Sequence, residues 1–113
     1  MIKGKVVLVP FPFDDLSTSK VRPAVCLTEA IGVHRHIVLA FITSRVPPDL
    51  LPSDLVLDQK DRDFVITGLR VTSTIRLHRL MTVNAALIRR DLGELSPTLR
   101  IIVDDKLQKL FAL

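Results

Sequence analysis

The run HIVLAFITS, His36 to Ser44, constrains this chain more than any other stretch. Both alternating sets of its side chains are apolar, so a strand here has no face to give to water. Such a strand belongs at the centre of a sheet with material packed on both sides. Pro47 and Pro48 close it. The rest of the chain must therefore supply neighbouring strands and a cover for each face.

The flanking segments read as those neighbours. Lys5 to Val9 (KVVLV) is β-branched and apolar, and Pro10 and Pro12, which cannot donate to a ladder, are expected to end it. Asp14 to Lys20 has the Asp, Ser and Thr density of a loop. Pro23 to Leu27 is a second short strand with proline at its first position, and Gly32 to Arg35 is a turn. After a loop over Asp49–Asp54, Leu55 to Leu57 is a short strand, followed by a charged turn over Gln59–Asp63. From Arg70 to Thr82 the pattern alternates: Val71, Ser73, Ile75 and Leu77 on one face, Thr72, Thr74, Arg76 and His78 on the other. Period two with one polar face predicts a half-exposed strand.

The period then changes. Asn84 to Arg90 reads as a short helix stopped near Gly93. Ser96 is a natural N-cap and Pro97 suits the first helical position. Leu99, Ile102, Val103, Leu107 and Leu110 form one helical stripe. No early segment has helical period between strands, which excludes helix-only and βαβ folds. The expectation is a mainly β (α+β) fold: one domain over residues 1–113, a small twisted β-barrel or curled sheet with a C-terminal helix packed on it.

Sixteen Lys and Arg against 12 Asp and Glu leave a net charge of +4, which favours anionic partners, nucleic acid first. Trp and Tyr are absent, so only the five Phe could stack on bases. Cys26 has no partner for a disulfide and lies in an apolar run, the mark of a small core residue in a reducing compartment. No signal-peptide pattern and no apolar run near 18 residues is present, so a cytoplasmic protein that contacts no membrane is expected.

The residues fit for chemistry are scattered. Arg22 carries a fixed fork of five donors that matches a phosphate, though it also suits a rim arginine paired with Asp14 or Asp15. Thr43 and Ser44 can donate hydroxyls to a phosphate oxygen or simply end the central strand. Arg76 and His78, two apart, point to the same side in a regular strand, and histidine is the side chain that exchanges protons near neutral pH. His34 and His36 flank Arg35 in a basic turn with no third ligand near, so neither a metal nor another cofactor is expected. Glycine-rich phosphate loops and Ser-His-Asp patterns are absent.

The segments VVLVPFPFDDLSTSKVRPAVCL, FITSR, GLRVTSTIRLHRLMTV and LIRRDLGELSPTLRIIVDDKLQKLF, in that order, resemble the MazF/PemK family of toxin endoribonucleases. The resemblance rests on Gly4-Lys5-Val6, Pro12-Phe13-Asp14, Lys20-Val21-Arg22-Pro23-Ala24-Val25 and the strand-end Thr43-Ser44, and covers nearly the whole chain. It implies an SH3-like barrel with a C-terminal helix. It also implies a homodimer, metal-independent cleavage of single-stranded RNA rather than DNA, and inhibition by a cognate antitoxin peptide. By matched position Arg22 and Thr43 take the places of the family's active-site pair, and Arg76 that of an arginine some members keep. Lys20, Ser44 and Phe13 are candidates to hold the RNA, although for Phe11 and Phe13 the favoured role is to plug the barrel end rather than to stack on a base. Two positions depart from the family: Lys5 replaces an acidic residue, and His78 stands where some members carry Asp. The alternatives are a non-catalytic RNA- or partner-binding barrel and a gyrase inhibitor on a similar barrel.

Overall fold

The computed structural model describes residues 1–11 and 20–113. Among them, six strands form one antiparallel sheet: β1 (Lys5–Phe11), β2 (Lys20–Cys26), β3 (His36–Thr43), β4 (Asp54–Leu57), β5 (Ser73–Asn84) and β6 (Arg90–Glu94), in the spatial order β4-β5-β3-β2-β1-β6. The sheet curls into an open half-barrel, and helix α1 (Pro97–Leu110) packs on it. Of the loop expected over Asp14 to Lys20, residues 14–19 lie outside the described residues, as do Pro12 and Phe13, while Lys20 is the first residue of β2.

The two-faced run became the central part of the sheet, β3, with β2 on one side and β5 on the other. Its alternate residues serve different cores. Ala40 and Ile42 join Val6, Val25, Ile75, Leu77, Leu95 and Val103 on the face that α1 covers. Ile37, Leu39 and Phe41 join Val7, Val9, Phe11, Ala24, Cys26 and Val83 on the other. The tail helix starts as its sequence dictates: Ser96 Oγ accepts from the Leu99 N–H at 3.1 Å, Pro97 opens the first turn, and Val103 is the stripe residue buried deepest.

Two proline boundaries shifted: Pro10, expected to end the first strand, and Pro23, expected to open the second, both fall within their strands. With β2 beginning at Lys20, Arg22 is a strand residue, not the last residue before one. The reason is local to the ladders. The β1–β6 ladder reaches only Leu8 and the β2–β3 ladder starts at Ala24, so each proline sits where its strand has a ladder on one side.

The segment after β5 also departs from expectation. Only Ala85–Leu87 is helical, a single 3₁₀ turn whose Asn84 Oδ1 accepts from the Ala86 N–H at 2.8 Å. Arg90–Glu94 is then an edge strand on β1. Its charged composition hid it from a hydrophobic-pattern reading and suits an edge. Gly93 does not stop a helix; it admits a crossing chain. The connection from β4 passes over β6 so closely that a Cβ at Gly93 would lie 2.1 Å from the Ile66 carbonyl oxygen. Gly68 (φ 74°) is approached as closely: a Cβ there would lie 2.0 Å from the Leu92 carbonyl oxygen.

Candidate active site

Ladder register brings the scattered polar residues into adjacent rows. Ala24 faces Phe41 in the β2–β3 ladder, and two residues further along each strand stand Arg22 and Thr43. Continued to its end, that register sets Arg22 opposite Thr43, on the same face as Ala24 and Phe41. Thr43 in turn faces Thr74 on β5, and Arg22 faces Val9 on β1. Arg22 and Thr43, both half-buried, share a cleft of about 360 Å³ with Phe41, Ser44 and Arg45. Lys20 is exposed two residues beyond Arg22 on the same side of β2, opposite Phe11, and is not part of the cleft wall.

The next row holds Asp54, Arg76 and Phe41 side by side. The Asp54 carboxylate is fully buried, yet it is satisfied: Arg76 donates to both of its oxygens, and the Leu51 N–H donates to Oδ2 at 2.9 Å. Arg76 therefore stands beside the cleft floor with its charge offset by a partner. Thr74, expected on an exposed polar face, is buried and donates its hydroxyl to the Arg45 carbonyl at 2.9 Å, tying β5 to the chain that leaves Thr43.

His78 is where the regular-strand expectation fails. The β3–β5 register jumps from Ala40↔Leu80 to Phe41↔Arg76, so residues 77–79 have no partners on β3 and form a bulge within β5, with Leu77 still buried in the core. Arg76 is half-buried in the row beside Phe41, whereas His78 is exposed on the bulge and does not line the cleft. The same bulge lays the Arg79 guanidinium 5.0 Å from the Phe41 ring centroid, a cation–π contact on the cleft floor. Phe11 meets Phe41 edge to face at 5.3 Å, so it plugs this end of the sheet. Phe13 lies outside the described residues.

Three residues near the cleft were not singled out from the sequence: Arg45, Arg79 and Asp54. Arg45 directly follows the Thr-Ser pair. Arg79 falls on the apolar parity of its strand, a sign of broken alternation. Asp54 carried no signal, because only the fold reveals its burial.

A sequence profile of the PemK-like, MazF-like toxins of type II toxin-antitoxin systems matches residues 2–111. The chain belongs to that family. No curated protein sequence matches it. Solved structures of the toxin family share the fold at low identity. The MazE–MazF complex from Deinococcus radiodurans superposes with a TM-score of 0.75 at 20% identity, covering 100% of this chain and 96% of the other. The Mycobacterium tuberculosis toxin MazF-mt6 gives 0.73 at 18% identity, covering 96% and 97%. A mycobacterial endoribonuclease in complex with its cognate antitoxin gives 0.72 at 14% identity, covering 100% and 96%. Among the described residues, no helix of this toxin-family chain is long and apolar enough to cross a membrane.

Proposed function

We propose that this chain is an endoribonuclease toxin that cleaves single-stranded RNA at the cleft between Arg22 and Thr43. The observation that carries the reading is the convergence of these two side chains, distant in sequence, on one cleft at the end of β2 and β3. Membership of the toxin family supports it, as do the solved relatives named as MazF toxins and endoribonucleases.

RNA brings its own nucleophile. The 2′-oxygen attacks the adjacent phosphorus, the P–O5′ bond breaks, and the products are a 2′,3′-cyclic phosphate and a 5′-hydroxyl end. This balance needs no metal. The proton leaves O2′ and a proton is delivered to O5′. Arg22 is assigned to the charge that develops on the phosphorane, and Thr43 Oγ1 to a hydrogen bond on a non-bridging oxygen. Donors fixed in advance on developing charge are usually the largest catalytic term. Arginine stays protonated and does not serve as the base. His78 is the assigned proton carrier. Because it stands outside the cleft wall, its proton would travel through water. Arg76 adds positive potential beside the floor, reduced by Asp54, and Ser44 and Lys20 are assigned contacts to the RNA backbone. A homodimer and a cognate antitoxin peptide, acidic and amphipathic, complete the proposal.

The test is cleavage of unstructured RNA with chelator present. Arg22→Ala should lower turnover by about 100- to 1,000-fold; a variant that cuts at the wild-type rate would end the assignment. One observation favours a second reading, a barrel that binds RNA without cutting it: the cleft lining among the described residues holds no His, Asp or Glu. Wild-type protein that binds RNA and leaves it intact would establish that reading instead.

A further inference from the structure

The cleft does not end at Ser44. Pro23 and Ser44 also line a second depression, of about 260 Å³, on the opposite face of the sheet. The two hollows meet over the ends of β2 and β3. In the second hollow Arg90, Leu8 and Pro23 are consecutive partners across β6, β1 and β2, so their side chains share that face. Arg70 stands on the far wall, and Leu69 and Leu92, both partly buried, give the hollow an apolar side.

Two cations rim this hollow. Arg70 and Arg90 are both exposed, and neither forms an ion pair or side-chain hydrogen bond with a described residue. They are also held on linked supports. Arg70 follows Gly68, whose backbone is locked against the Leu92 carbonyl, and Leu92 belongs to the strand that carries Arg90. Like charges fixed around one concavity repel each other and focus positive potential into it. An anion relieves both effects, and the leucine side offers a surface to something flat and apolar. A nucleotide, with a phosphate and a base on one unit, has both properties.

We propose that Arg70 and Arg90 form a second RNA subsite that holds a nucleotide flanking the scissile phosphate. The RNA strand passes from the Arg22–Thr43 cleft over Pro23 and Ser44 into this hollow. The proposal rests on the ribonuclease reading for its ligand, but its geometry is independent of whether the cleft cuts.

The experiment measures binding apart from cleavage. Fluorescent single-stranded RNA of mixed sequence, 2′-O-methylated so that it cannot be cut, is titrated by anisotropy over a range of salt. A trinucleotide is compared with a strand of about ten nucleotides, for wild type, R70A/R90A and R70K/R90K, each checked by thermal melting. For the longer strand, R70A/R90A should weaken binding about tenfold and make the log–log salt slope shallower by about 1.4, from two contacts at ~0.7 each. The trinucleotide should lose less than about threefold, and R70K/R90K should keep the wild-type slope. An unchanged affinity and slope on the longer strand overturns the proposal, as does an equal loss at both lengths. Failure of the ribonuclease reading would look different: unmodified RNA would survive wild-type protein while the length-dependent loss in R70A/R90A persisted.

Discussion

Arg76 lays its guanidinium along the buried carboxylate of Asp54, Nε to Oδ1 at 3.1 Å and Nη2 to Oδ2 at 3.3 Å. The pair joins β4 to β5 directly beside the Phe41 floor. A buried carboxylate left without its cation is costly, about 3 kcal/mol or more. Arg76→Met should therefore lower the unfolding free energy by an amount of that order, read as a lower urea midpoint, and adding Asp54→Asn should recover most of it. If Arg76→Met unfolds at the wild-type midpoint, the pair is not what ties β4 to the site.

Thr43 separates a binding role from a structural one. It is half-buried at the end of β3, and valine has the same shape without the hydroxyl. With the hydroxyl on the phosphorane, Thr43→Val should lower turnover roughly 100-fold and shift the melting temperature little. Thr43→Ser should retain most activity. Equal activity of the valine and threonine proteins would remove Thr43 from the mechanism.

Cys26 should be chemically silent in the native protein. Burial, the largest cause, followed by the charges of Asp91 and Glu29, pushes its thiol up to about 11. The neutral thiol is thus the native form, and thiolate is the reactive species. Iodoacetamide at neutral pH should label unfolded protein and leave folded protein unmodified. The linkage has a definite sign. The thiol's contribution is fully present below the unfolded thiol's value, about 8.5, and is lost as the pH rises from there through about 11. Cys26→Ser should flatten the stability profile over that alkaline window only.

Gly93 should be intolerant of even one added carbon. Its Cβ would meet the backbone of Ile66 and Thr67, which cannot rotate away as a side chain can. Gly93→Ala should displace the crossing chain from β6 and destabilise the protein by about 1–3 kcal/mol, read by chemical unfolding. Because that chain leads to Arg70, the same variant should weaken RNA binding. An alanine protein of unchanged stability would contradict the close approach.

What the sequence made legible was the local grammar. The two-faced apolar run at residues 36–44 dictated a central strand, and Ser96-Pro97 with a periodic stripe dictated the tail helix. Arg22, Thr43 and Ser44 were recognisable as candidates because donors at strand ends have a chemistry of their own, and the ordered motifs pointed to the family. Signals of this kind lie within a few residues of each other, where period and capping act.

The rest depended on which strands lie side by side. That Pro10 and Pro23 interrupt no ladder, that Arg90–Glu94 is an edge strand, and that β5 bulges at His78 are properties of neighbours up to 86 residues away, as between Lys5 and Asp91. The same holds for the pairing of Asp54 with Arg76 and for the hollow shared by Arg70 and Arg90. Hydrophobic period determines which way a side chain faces. Only register between distant segments determines what it faces, and a site built from single residues on separate strands exists only once that register is set.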